Sequence, residues 1–500
     1  MKQSRPKLEY RNRDQIYLGM VDLNNLIDEW HPARAVWAVL EGIDFSLYEE
    51  QIRSREGEAG RSAVPPRLLA ALWIYGYSLG VGSARALERM QSYEPGLRWL
   101  CADEPVNHHT LSDFRVRHEE ALDGLFSQVL AGLEQEGVVD LGTVVLDGTK
   151  VRAASGAGSL HRRATLEESL RQAEEVVEAL KRETGEAGGE ERRRAAAQRG
   201  ARERVERIQA SLRELRRRQQ ESKRGREVRV STSEPEVRRM RMADGVYAPA
   251  WNLQLATETA GNVVVGVEVT SQGSDAEQLP GMVEQIRRRL GRVPERMLAD
   301  GGYTSRRNVE YAHREGIELY APWEPDAARH RGGLVHNGIG EEFGPQAFVY
   351  DAENDELICP AGERLKRGRS RWKNGARKVR YEAAAEACAT CPHRRDCCGR
   401  AEGRGRWVER AEESEAMRAY LERMASPEGR QFYRQRSRYG EFPQLQIKGV
   451  LGLRRFHVRG WRKVRQEGML WALAYNVMQW IRLVWRKLES APPTLAAATC

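Results

Sequence analysis

Two aspartates in the 500-residue chain close short apolar runs, and each is followed by glycine. Asp147 ends Val144-Val145-Leu146, and Asp300 ends Met297-Leu298-Ala299. Read as buried strands stopped by turns, these runs place both carboxylates at strand C-termini, where open α/β sheets form their ligand crevices. Either aspartate alone reads more readily as a cap or turn residue than as a catalyst. On neighbouring strands the two would share divalent cations, since Mg²⁺ (or Mn²⁺) is held by one or two carboxylates together with phosphate oxygens. Phosphodiester chemistry needs that arrangement. A second cluster is softer: Cys388-x2-Cys391-x5-Cys397, with Cys359 upstream, offers four thiolates in two groups, as a structural tetrahedral Zn²⁺ site requires. Cys398 is an alternative to Cys397, His393 can substitute for a thiolate, and unliganded reduced thiols are the plain alternative. An odd count of seven cysteines suits free thiols in a reducing compartment better than a disulfide framework.

The elements that must position these residues are legible in the periodicity. From Val64 to Leu133, Leu68, Leu72, Tyr75 and Leu79 recur at helical spacing, and Ser83 caps a helix carrying Ala84, Leu87 and Met90. Thr110 with Asp113 resembles a capping box opening one further helix through Phe114, Leu122, Leu125, Phe126 and Leu130. After the strand at Asp147, the segments Asn252–Ala256 and Val263–Val269 flank the turn Gly261-Asn262, with Val263, Val265, Val267 and Val269 on one face of a hairpin strand. A helix over Ala276–Leu290 leads to the strand at Asp300, and Ile317–Ala321 reads as another strand. The fold class is α/β. Two stretches interrupt it. Residues 160–226 are crowded with Arg and Glu, with Leu166, Leu170, Ala173, Val177 and Leu180 on one stripe and a break at 185–189, the pattern of a protruding charged helical hairpin. Residues 324–413 hold the cysteine cluster. Near the end, Leu470, Leu473, Val477, Ile481, Val484 and Leu488 form a helical stripe; Asn476, Gln479 and Arg482 make it too polar to span a membrane, so it reads as a core helix.

Composition narrows the class. Hydrophobic residues are 40% and charged residues 31%, enough apolar material for two or three soluble domains and no membrane association. Met1–Gln15 is charged and lacks the apolar run of a secretory signal, which predicts a cytoplasmic chain. Lys and Arg outnumber Asp and Glu by 81 to 72. That excess matters through its clusters. Arg454, Arg455, Arg459, Arg462, Lys463 and Arg465 interleave with Phe456, His457 and Trp461, and Arg364–Arg380 is a second basic run. Either is a solvated face or a surface for phosphates with aromatic packing beside them.

Taken together the residues resemble a family, the DDE transposases of bacterial insertion sequences. The resemblance rests on Leu-Asp-Gly-Thr-Lys (146–150), on Leu-Ala-Asp-Gly-Gly-Tyr (298–303), and on Tyr433, Arg436, Glu441 and Lys448 in a basic helical stretch. His31-Pro32, Tyr75-Gly76-Tyr77, Ser83-Ala84-Arg85 and the run from His108 to Phe114 resemble that family's leader domain. The resemblance implies a helical DNA-binding domain over 1–138 and an RNase H-like catalytic core over 139–159 and 227–323. It further implies insertions over 160–226 and 324–413, the latter a zinc insertion, and a C-terminal helical part of the core over 414–490 that carries Glu441. It implies that Asp147, Asp300 and Glu441 form a metal-binding triad, with Tyr433, Arg436 and Lys448 on the DNA backbone beside the cleaved end. Four residues separate Arg436 from Glu441 where the family commonly has three, so Arg438 or Arg434 is an alternative at that position. The implied activity is metal-dependent cleavage at the element's ends and joining of 3′-hydroxyls to target DNA. The implied partners are double-stranded DNA at the terminal inverted repeats and the target, and a second copy of the chain in a homodimer. The rival readings are a catalytically silent DNA-binding descendant and a metal-dependent nuclease without strand transfer.

Overall fold

The computed structural model describes residues 22–54, 62–182, 189–221, 227–323, 333–334, 336–373, 376–399 and 403–485. The leader is helical, as its periodicity predicts, with α1 (Pro32–Glu41), α2 (Pro66–Ser78), α3 (His108–Arg117) and α4 (Glu119–Gln135) as its main elements. Proline opens α1 and α2, where an absent N–H costs nothing. The cap expected at Thr110 lies three residues earlier: the Asn107 side-chain oxygen accepts the Thr110 N–H at 3.0 Å. The single helix expected there is two, because His118 leaves helical geometry at φ −122°, ψ 61°.

The central sheet is built from β1 (Thr143–Arg152), β2 (Arg238–Arg241), β3 (Tyr247–Glu258), β4 (Val264–Thr270), β5 (Arg296–Ala299) and β6 (Glu318–Tyr320). Its order is β4-β3-β1-β5-β6, with β2 also on β3. The pairs β4–β3 and β3–β1 are antiparallel, whereas β5 and β6 run parallel to β1. This is an RNase H-like core. One expectation is corrected: Asp147-Gly148-Thr149 is no turn, and β1 continues to Arg152. The apolar run stops at Leu146, but β3 pairs with β1 without a break from Val144↔Glu258 to Arg152↔Ala250 and carries the strand onward. Alternation along β4 is also overridden. Val264 and Gly266 are as buried as Val265 and Val267, because Gly266 faces Met282 and Ile286 of α7 (Gln278–Leu290) while Val269 meets Gly468 on the opposite face.

The charged segment forms a helical hairpin, α5 (Arg163–Arg182) against α6 (Gly189–Glu221), with Leu166 and Leu170 packed on Leu212, Leu215 and Val230. Most of the expected break at 185–189 lies outside the described residues, as does Leu488. The cysteine-bearing segment is a five-stranded sheet whose order reverses the chain: β11 (Trp407–Ala411), β10 (Ala376–Glu382), β9 (Arg364–Lys373), β8 (Glu356–Ile358), β7 (Val349–Asp351). It has a hydrophobic core of its own.

The chain then returns through α8 (Pro427–Tyr433), α9 (Arg436–Leu445) and α10 (Trp461–Trp480). The core-helix reading of the last apolar stripe agrees with α10, which is buried along most of its length. Its polar residues have structural work. Asn476 accepts the Val264 N–H at 2.9 Å and donates to the Val264 carbonyl at 2.7 Å, pairing backbone groups on the outer edge of β4. Trp471 stacks on Tyr77 of α2 with ring centroids 3.8 Å apart. One continuous core therefore joins leader, sheet and C-terminal helices, with members from Ile27 to Ile481. Among the described residues no helix is long and apolar enough to cross a membrane.

Candidate active site

Parallel pairing of β1 with β5 puts Leu146 opposite Ala299, so Asp147 and Asp300, each one residue further on, are neighbours. Asp147 is a mid-strand residue and buried. Asp300 caps the turn that follows β5, its Oδ1 accepting the Gly302 N–H at 2.8 Å. The first residue of α9 connects them: Arg436 Nη2 lies 3.0 Å from Asp147 Oδ1 and 3.9 Å from Asp300 Oδ2. One guanidinium thus sits across two carboxylates. Burial pushes the Asp147 carboxyl up to about 6; Arg436 opposes this, and the charge on Asp300 adds to it.

Gly440 brings α9 onto β1. A Cβ there would lie 3.0 Å from Asp147 Oδ2 and 3.2 Å from Val145 Cγ1, close enough that either neighbour would have to give by a few tenths of an ångström. Glu441 is the next residue, and its side chain is exposed. Among the described residues no ion pair reaches it, and no three acidic, histidine or cysteine side chains converge on one point as a ready metal cage. The structure therefore brings Asp147 and Asp300 together and leaves the Glu441 carboxylate facing outward from the same helix. Of the other expected site residues, Lys448 Nζ donates to Thr149 Oγ1 at 2.6 Å, two residues beyond Asp147 on the same face of β1. Burial and the neighbouring Lys150 hold the Lys448 amine below the usual lysine range. Tyr433 packs with Val145, Leu298 and Tyr320 under the carboxylate pair. Arg454 and Arg455 lie exposed beside the end of β1: the Arg454 carbonyl accepts the Arg152 N–H at 3.3 Å, and Arg455 bridges to Arg152. Arg459 is exposed on the same segment.

Sequence reading missed a second polar layer on the opposite face of β1. Asp275, just before α7, accepts from Asn252 Nδ2 and Gln254 Nε2, each at 2.6 Å, and lies 3.7 Å from Lys150 Nζ. Gln254 also accepts from the buried Tyr303 hydroxyl. Burial and three nearby carboxylates hold the Tyr303 phenol well above its usual range, so it stays a donor. One signal was available: Asn252 and Gln254 alternate with Trp251, Leu253 and Leu255 in a strand buried on both faces, so two amides share one buried side.

The cysteines lie elsewhere. Cys359, Cys388, Cys391, Cys397 and Cys398 all line one cavity of about 180 Å³ in the smaller sheet, with His393 on its wall. The Cys359 sulfur accepts the Glu363 N–H and the Cys388 sulfur the Arg406 N–H, both at 3.3 Å.

A family model described as a transposase DDE domain matches residues 358–481, and one described as a transposase domain (DUF772) matches residues 21–117. The two matches support a DDE transposase of insertion-sequence type. No curated protein matches it. The matched spans take in α1 to α3 of the leader, the five clustered cysteines, Arg436, Glu441 and Lys448. Asp147 and Asp300 fall between them, so for these two the warrant is the geometry of the sheet. A transposase acts on DNA, and the exposed Arg455 bridges to Arg152, the last residue of the strand that carries Asp147.

Proposed function

We propose that this transposase cleaves phosphodiester bonds at the ends of its own element and joins the freed 3′-hydroxyls to target DNA. The observation that carries the reading is the Asp147–Arg436–Asp300 bridge: two carboxylates with hard oxygen donors, held against one positive charge. That donor set fits Mg²⁺ or Mn²⁺, with the guanidinium as the stand-in for the cation. Asp147 and Asp300 would hold the ion, and Glu441 would complete the set from α9. When bound, divalent cations supply charge stabilisation for the attacking and departing oxygens of an in-line displacement. The remaining work belongs to the chain. Arg436, freed from the carboxylates, is placed to meet a phosphate beside them, and Lys448 is held over β1 by Thr149. Tyr433 supports β1 and β5 from beneath and would reach the DNA backbone near the cleaved end. Arg454, Arg455 and Arg459 extend a basic strip for the flanking duplex.

In the smaller sheet, Cys359, Cys388, Cys391 and Cys397, or Cys398 in place of the last, would hold a structural Zn²⁺. Five sulfurs on one cavity, two of them already accepting backbone N–H groups, fit that ion. Synapsis of two element ends implies a working homodimer.

The test substitutes Asp147, Asp300 and Glu441 one at a time by Ala and measures end cleavage in Mg²⁺ at matched DNA binding. Each change should abolish cleavage; a residue whose loss leaves the rate intact leaves the triad. Pre-cleaved ends offered with a target plasmid should give joined product, whereas a nuclease would give none and a silent DNA-binding descendant would neither cut nor join.

A further inference from the structure

The two oxygens of Asp275 have different surroundings. Oδ1 takes both amides, from Asn252 and Gln254, and is the oxygen nearest Lys150. Among the described residues nothing donates to Oδ2. Its direction is marked by glycines. A Cβ on Gly302 would sit 3.4 Å from Asp275 Oδ2 and 2.8 Å from Asp300 Oδ1, so the two carboxylates crowd one point. On β1, a Cβ on Gly148 would sit 2.9 Å from Asp275 Oδ1. Gly148, next to Asp147, and Gly302, two residues past Asp300, thus clear space for this third acid. Electrostatically Asp275 belongs with the pair: its charge adds to those pushing the Asp147 carboxyl up, and burial lowers the Lys150 amine against the opposing charges of Asp275, Asp300 and Asp147. An independent sign of a missing partner lies beside it. Asn252 is fully buried, its Oδ1 has no hydrogen-bond partner, and that oxygen would be 3.2 Å from the same Gly148 Cβ. A buried carbonyl oxygen without a donor costs free energy unless something positive comes to it.

We infer that Asp275 is a further oxygen ligand of the divalent-cation centre, reached from the α7 face of the sheet while Asp147 is reached from the α9 face. In the described conformation Arg436 and Lys150 act as the centre's counter-charges. The Asn252 and Gln254 amides hold Asp275 Oδ1 so that Oδ2 stays turned toward Asp300. The inference rests on the proposed cation reading of Asp147 and Asp300.

The experiment measures Mn²⁺ binding to the full chain without DNA, by titration of the free-ion paramagnetic resonance signal. D275N keeps the volume and an acceptor for the two amides; D275S is a second variant of smaller bulk. Both should weaken Mn²⁺ binding about tenfold or more, comparably to D300N. Wild-type affinity in D275N or D275S alongside loss in D147N and D300N would overturn the inference and leave the pair standing. Unchanged binding in all four variants would overturn both readings. If the effect came only from releasing Lys150 toward the ion, the double variant K150M/D275N would regain wild-type affinity, and Asp275 would be no ligand. A persistent loss in that double variant supports direct ligation.

Discussion

At the residue scale, the site depends on what glycine omits as much as on what aspartate supplies. Gly148 and Gly302 admit Asp275, and Gly440 admits α9, each by lacking the one carbon that would occupy the gap. A methyl group at 440 would press on Asp147 Oδ2 and Val145 Cγ1 and shift them by a few tenths of an ångström. G440A should therefore destabilise the fold by about 1–3 kcal/mol. Its larger effect falls on chemistry, since displacement of a reacting group by about an ångström costs up to roughly a hundredfold. End cleavage by G440A should drop at least about tenfold while DNA binding at matched salt stays as in the wild type. A wild-type cleavage rate would show that α9 does not set the position of Asp147. The two aspartates were legible because each follows an apolar run. Asp275 was not, because Ser274-Asp275 before a helix looks like any capping pair, and only the fold turns it toward Asp300.

Elements differ from their sequence signals where a neighbour supplies what the segment lacks. β1 outlives its apolar run because β3 pairs with its last six residues, and β4 is buried on both faces because α7 and α10 cover it. The turn joining β3 to β4 has a titrating anchor. Glu258, fully buried, accepts the Ala260 N–H at 2.6 Å and the Gly261 N–H at 3.0 Å. Burial pushes its carboxyl from 4.5 up to about 7, with the two N–H groups opposing and Asp140 adding. A carboxyl raised on folding binds its proton more tightly in the native state. Its favourable contribution is therefore complete below about pH 4.5 and is lost as pH rises through about 7. Across that window the wild type should lose on the order of 3 kcal/mol relative to E258Q, which does not titrate. Melting temperatures at pH 5 and pH 8 check this: the difference, E258Q minus wild type, should rise with pH. A constant difference would mean that Glu258 titrates normally.

For the whole molecule, the hydrophobic cores set what can separate. Leader, central sheet and α10 share one core, with Tyr77 on Trp471 and with Gly132 leaving room for Trp480, so these parts should unfold together. The smaller sheet has its own core around Leu365, Val379 and Tyr381, and the five cysteines beside it. Calorimetry of the full chain should show this unit's transition fall on zinc chelation, or in the C388S/C391S variant, while the larger transition holds. Unchanged metal content in that variant would refute the zinc site. By itself the sequence determined the chemistry on offer and most local elements, because burial period, caps and the acids that follow apolar runs are written within a few residues of one another. It also carried the resemblance to the DDE transposases, through motifs in a fixed order. Tertiary structure alone decided which acids meet. Parallel pairing of β1 with β5 joined Asp147 to Asp300, the packing of α9 placed Arg436 between them and turned Glu441 outward, and α7 delivered Asp275 from the far face. Such meetings depend on strand order and on the faces helices cover, and no spacing along the chain encodes either.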